Sequence, residues 1–111
     1  MIDRDAGAEI VDLDRSTVKE GLADGSLLLV DIREPYEFNA GHIPGSLSLP
    51  LSQFDPSALP AEPRSRTVFV CAAGVRSEKL LLALQDAGYE FREHYRGGLK
   101  DWISAGERLE Y

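Results

Sequence analysis

The chain has one cysteine, one tryptophan, one methionine and two histidines in 111 residues. A single cysteine cannot form an internal disulfide, which fits a reducing compartment. His42 and His94 are far apart in sequence and no second cysteine exists, so no metal-ligand spacing appears and no cofactor is called for. Apolar runs are short, none near the ~20 residues that span a bilayer. The first residues, Met1 to Ala8, carry charges where a signal peptide would have an apolar core. Basic residues are also in deficit, 12 against 19 acidic ones, for a formal net charge of −7. That sign disfavours nucleic acid and anionic membrane surfaces. The expectation is a cytoplasmic monomer that acts on small molecules or on a protein partner.

Hydrophobic residues at 43% and charged residues at 28% describe an ordinary globular chain, long enough for one domain with a core that needs no staples. Glu9 to Leu13 suggests an edge strand. Asp14 or Ser16 is placed to cap a helix that runs to Asp24 and stops at Gly25. Leu27 to Ile32 reads as a buried strand, and Glu34-Pro35 opens a short helix to Asn39. A brief strand at Leu47 to Leu49 precedes Pro50 to Pro63, which holds four of the six prolines and reads as a surface loop with a helical turn near Ser52. Phe91 to Tyr95 is the last strand and Leu99 to Ala105 the last helix. Strands alternating with helices predict an α/β fold, a central parallel sheet of about five strands with helices on both faces. Residues 1–8 read as a frayed tail, 9–108 as the domain and 109–111 as a short C-terminal tail.

The chemistry concentrates at Val68-Phe69-Val70-Cys71-Ala72-Ala73-Gly74-Val75-Arg76-Ser77. Val68 to Val70 is a wholly apolar run suited to a strand covered on both faces. From Ser77 onward, Leu80, Ala83, Leu84 and Ala87 fall at helical spacing, with Glu78 in the first turn and Gly88 past the end. Cys71 therefore lies between the carboxyl end of a strand and the amino end of a helix. Loop amides and the helix dipole there make an anion site. The field that holds an anion also favours a thiolate, the nucleophilic form of cysteine. Arg76 adds a permanent charge with a planar fork of donors, and Gly74 permits the backbone to turn several N–H groups inward. The bland alternative is a small buried hydrophobe without reactivity, which explains neither Gly74 nor Arg76.

Cys71 to Ser77, CAAGVRS, resembles the active-site loop of the rhodanese family of sulfurtransferases. The segment Asp31-Ile32-Arg33-Glu34-Pro35-Tyr36-Glu37-Phe38, followed by Gly41-His42-Ile43-Pro44-Gly45-Ser46, is similar to the family's DxREPxEFxxGHIPGS pattern, and Gly97-Gly98-Leu99-Lys100-Asp101-Trp102 to its GGxxxW pattern. The three occur in the family's order and span about residues 9 to 108. The resemblance implies that a donor passes its outer sulfur to Cys71, and that cyanide, a thiol or a partner protein removes it from the resulting persulfide. In that scheme Cys71 is catalytic, the loop Ala72, Ala73, Gly74, Val75 and Arg76 binds substrate, and neither metal nor organic cofactor takes part.

Four residues separate Cys71 from Arg76, one fewer than in protein tyrosine phosphatases, and the smaller loop suits a sulfur atom better than a phosphate. Two rival readings stay open: a cysteine phosphatase or arsenate reductase on the same fold, and a non-catalytic module that only binds a partner. Ala72, Ala73 and Val75 are small or apolar where many family members carry polar side chains. With the acidic chain around them, this leaves less to attract thiosulfate and favours a persulfide, a neutral donor or a protein donor. Asp31 and Arg33 are expected to pair and shape the site without reacting. His42 is expected to fix a turn, Trp102 to pack in the core, and Gly97-Gly98 either to bring backbone close to the loop or to make a tight turn.

Overall fold

The computed structural model describes residues 9–59 and 66–111. The expected tail at 1–8 and the end of the proline-rich loop lie outside the described residues. Five strands form one sheet: β1 (Val11–Leu13), β2 (Leu27–Asp31), β3 (Leu47–Ser48), β4 (Arg66–Val70) and β5 (Glu93–Tyr95), in the spatial order β1-β5-β4-β2-β3. Every pairing is parallel. Three helices lie between strands, α1 (Arg15–Asp24), α2 (Pro35–Ala40) and α3 (Val75–Asp86), and a fourth, α4 (Gly98–Ser104), follows β5. Among the described residues no helix is long and apolar enough to cross a membrane.

Side chains of a strand alternate between the two faces, and here both faces are buried. Leu29, Val68 and Val70 join Val18 of α1 and Leu99 and Trp102 of α4 in one core cluster. Val30, Phe69 and Cys71 join Leu80, Leu81 and Leu84 of α3 in the other. The expected parallel sheet with helices on both faces is the fold observed. Trp102 is 5% exposed and sits in the first cluster, as its size predicts.

Boundaries differ from expectation where pairing, not hydrophobicity, decides them. β4 starts at Arg66 because Arg66 and Thr67 stand in register with Leu27 and Leu28. α3 starts at Val75, since Gly74 already has the left-handed φ of +90° from which the helix departs. The proline-rich segment is not purely a surface loop. Turns of 3-10 helix at Leu51–Gln53 and Pro56–Ala58 bring Leu51, Phe54 and Leu59 onto the second cluster. Within residues 109–111, expected as a tail, Leu109 packs on the first cluster and Glu110 exchanges backbone hydrogen bonds of 2.9 and 2.8 Å with His42, while Tyr111 is exposed.

Candidate active site

In a parallel sheet all carboxyl ends share one edge, and sites form there. β2 ends at Asp31 and β4 at Val70, paired in register, so the connections after them lie side by side. After β4 the chain turns through Cys71 to Gly74 into α3. A Cβ on Gly74 would come 2.4 Å from the Arg96 carbonyl oxygen, so only glycine fits this turn.

The turn wraps backbone donors around the sulfur. The Gly74 amide lies 3.2 Å and the Ser77 amide 3.4 Å from Cys71 Sγ, and the Ser77 hydroxyl oxygen lies 3.5 Å away. Cys71 is 1% exposed. Burial pushes its thiol pKa up, but the Ser77 hydroxyl and the amides of Ser77, Ala73 and Gly74 outweigh this and hold it below the ordinary value. Ser77, the last residue of the CAAGVRS segment but not among the expected substrate-binding residues Ala72 to Arg76, forms part of the cradle.

The Cys71 and Ala72 carbonyls are held by α4. Leu99 N donates to the Cys71 carbonyl at 3.0 Å and Lys100 N to the Ala72 carbonyl at 2.9 Å. Gly98, at φ +65°, permits this, because a Cβ there would lie 2.5 Å from both carbonyl oxygens. Close approach, rather than a tight turn alone, accounts for that glycine. Ala73 and Val75 are exposed at the rim.

Arg76 does not stand as a free cation at the loop's end. Its Nη1 and Nη2 donate to Oε1 and Oε2 of Glu37 on α2 at 2.8 and 3.0 Å. The fork holds the Glu37 carboxyl below its usual range, and the same bond raises the already high pKa of Arg76. Glu37 also accepts from the Glu34 amide at 3.0 Å in a capping box at the start of α2. The helix start at Glu34-Pro35 was legible in the sequence. The partner 39 residues away was not.

Asp31 and Arg33 form the expected pair, with Arg33 Nε to Oδ1 at 3.0 Å, Nη2 to Oδ2 at 2.8 Å and Nη2 to the Gly41 carbonyl at 2.9 Å. The pair fixes the GHIPGS turn to the end of β2. His42 fixes the same turn, its Nδ1 3.0 Å from the Phe38 carbonyl and its ring stacked on Phe38 at 3.8 Å. His94, set aside in sequence for want of a metal-ligand partner, lies behind the loop. It is fully buried, with Nδ1 2.7 Å from Ser77 Oγ and Nε2 2.7 Å from Asp12 Oδ1. Among the described residues no group of three or more histidine, cysteine, aspartate or glutamate side chains is arranged to hold a metal ion.

With this geometry in place, comparison with known proteins assigns the class. The family model for the rhodanese-like domain matches residues 14–105, and the chain belongs to the rhodanese family. An uncharacterized protein of Synechocystis is 41% identical over 90 residues, covering 81% of this chain, which spans only 50% of that relative's length. A sulfurtransferase of Allochromatium vinosum is 35% identical over 97 residues, 86% of this chain and 90% of its own. Among solved structures, a Rhodopseudomonas palustris protein of unknown function, described as a possible tyrosine phosphatase, superposes with a TM-score of 0.73 at 30% identity, over 97% of this chain and 89% of its own. At the level of the family, membership supports a sulfur-transfer role.

Proposed function

We propose that this protein moves a sulfane sulfur from a donor through a persulfide on Cys71 to a thiophilic acceptor. The observation that carries the reading is the sulfur cradle: a buried Sγ met by the Gly74 and Ser77 amides and the Ser77 hydroxyl. In the first step the Cys71 thiolate attacks the outer sulfur of the donor. A new S–S bond forms, the donor's bond to that sulfur breaks, and its electron pair leaves with the donor remnant. In the second step a thiolate or cyanide attacks the outer sulfur, and Cys71 departs as a thiolate. The inward amides stabilise negative charge at both the start and the end of this cycle. Ala72, Ala73, Gly74, Val75 and Arg76 bound the space in which the outer sulfur is exchanged.

The Glu37 fork bears on the donor. Arg76 reaches the mouth already neutralised by a carboxylate, on a chain of net charge −7. A dianion such as thiosulfate therefore meets little attraction, and a persulfide of a small thiol or of a protein suits the site better.

Intact mass after exposure to thiosulfate or a persulfide donor tests the reading. One sulfur atom is expected on Cys71, removed by cyanide as thiocyanate, and Cys71→Ala is expected to abolish both. Turnover by the substituted protein would show that another residue is the nucleophile. The neighbour described as a possible tyrosine phosphatase keeps a second reading in view. An aryl phosphate assay separates the two, with negligible hydrolysis expected beside sulfur transfer because only four residues lie between Cys71 and Arg76.

A further inference from the structure

We propose that the thiol proton of Cys71 passes through the Ser77 hydroxyl to His94, with Asp12 holding the imidazole in the tautomer and orientation this requires. The inference rests on the reading of Cys71 as the reactive group and adds a positioning residue, His94, that acts on the sulfur only through Ser77.

Donor and acceptor chemistry fixes the direction of each bond. The Asp12 carboxylate can only accept, so the His94 Nε2 that lies 2.7 Å from it carries a hydrogen. In the neutral ring Nδ1 is then bare and accepts the Ser77 hydroxyl hydrogen at 2.7 Å, a much shorter contact than the 3.3 Å to the other acceptor in reach, the Gly74 carbonyl. A lone pair on Ser77 Oγ remains to accept the thiol hydrogen of Cys71 at 3.5 Å. The three groups form a file of hydrogens all pointing from sulfur toward the imidazole.

The thiolate requires the file to reverse. For Ser77 to donate to an anionic sulfur its own hydrogen must turn to Sγ, and Nδ1 must then donate to Oγ. The balance is two short proton shifts: the thiol hydrogen goes to Oγ, and the hydroxyl hydrogen goes to Nδ1. A neutral thiol and imidazole become a thiolate and an imidazolium, with no proton gained or lost. The charged groups facing His94 suit this product. Asp12 of β1 takes the Nε2 side, Arg96 after β5 bonds the other Asp12 oxygen at 3.2 Å, and Cys71 after β4 supplies the negative partner. Ser77 is the contact from α3 and is uncharged, while Glu93, one residue before His94, points to the opposite face and pairs with Arg66. The Asp12 side chain is 48% exposed, so the buried relay ends at solvent and its proton can exchange. A histidine buried only to fill the core would have no reason to join the sulfur to a surface carboxylate.

Ring-nitrogen NMR of the full chain, before and after alkylation of Cys71 with iodoacetamide, reads the relay directly. At neutral pH His94 is expected to carry hydrogens on both nitrogens while Cys71 is a thiolate. Alkylation removes the negative partner and is expected to return His94 to the Nε2–H form. A ring that stays singly protonated in both states would overturn the proposal. His94→Gln is expected to slow alkylation at neutral pH about tenfold, with the pH midpoint moved up by roughly one unit. Asp12→Asn, at an exposed position, is expected to move the midpoint the same way by less. Wild-type alkylation profiles in Asp12→Asn would overturn the proposal even where His94→Gln fails to fold. None of these readouts uses sulfur transfer. A protein that passes them but takes up no sulfur would keep the relay and lose the sulfurtransferase reading.

Discussion

Arg33 and Arg76 each meet a carboxylate in a fork, but the Arg33 and Asp31 side chains are 8% and 0% exposed, whereas those of Arg76 and Glu37 are 35% and 20% exposed. The buried pair is local in sequence and ties β2 to the turn at Gly41 through a further bond. The outer pair joins α2 to the start of α3 at the mouth of the sulfur loop. Removing a charge from water is costly, so a buried pair holds only while both partners remain. A pair in contact with solvent contributes little stability and is free to exchange partners. The same two residue types thus build a hinge pin in one place and an adjustable charge in the other.

Breaking the buried pair gives the largest expected effect. Arg33→Ala leaves the Asp31 carboxylate buried without a counter-charge, at a cost of about 3–5 kcal/mol, read as a lower urea midpoint. Replacing both partners by apolar residues, Asp31→Leu with Arg33→Met, is expected to recover most of that loss. If the double replacement is as unstable as the single one, the pair's value lies in its bonds to Gly41 and the Arg33 amide rather than in charge compensation.

Arg76 inverts the pattern. Arg76→Ala is expected to change stability by less than about 1 kcal/mol after solvent screening, while leaving Glu37 as a bare anion beside the loop. Transfer from thiosulfate is then expected to fall on the order of 10²-fold, because the Glu37 carboxylate, no longer neutralised, repels the dianion at the mouth. Lysine restores part of it, since it keeps the charge but not the fork. Equal losses with a neutral sulfur donor would assign Arg76 to loop shape and remove its link to donor charge.

The contrast also explains what could be read from the chain. The sheet was legible because Leu27 to Val30 and Val68 to Val70 are apolar runs bounded by turn residues, and such runs need cover on both faces. The Asp31 and Arg33 pair was legible because its partners are two residues apart. Glu37 meeting Arg76, and Asp12 meeting His94 across 82 residues, depend on the order in which the strands assemble, which periodicity does not encode. Ser77 was visible as a residue, but its orientation toward Sγ follows from the helix starting at Val75, two residues earlier than the apolar spacing suggested.

The smallest effects come from pH and salt acting on the outer pair. The Arg76 fork depresses the Glu37 carboxyl below its ordinary value of 4.5, so the pair's small stabilisation is fully present above that value and is lost only as pH falls through the lower folded value. Through the neutral range Glu37 therefore stays charged and Arg76 stays masked. Added salt is the available lever there. At molar ionic strength the screening length shrinks to about 3 Å, which weakens the repulsion between a dianion and a chain of net charge −7. Thiosulfate use by the unaltered protein is expected to rise roughly twofold between low and high salt, with no change for a neutral donor. Glu37→Gln, which unmasks Arg76, is expected to raise thiosulfate use at low salt and to reverse the salt effect, because attraction rather than repulsion is then screened. A fall with salt in the unaltered protein would mean that Arg76 already draws the donor in despite Glu37, and the outer pair would have to be read as an open anion site.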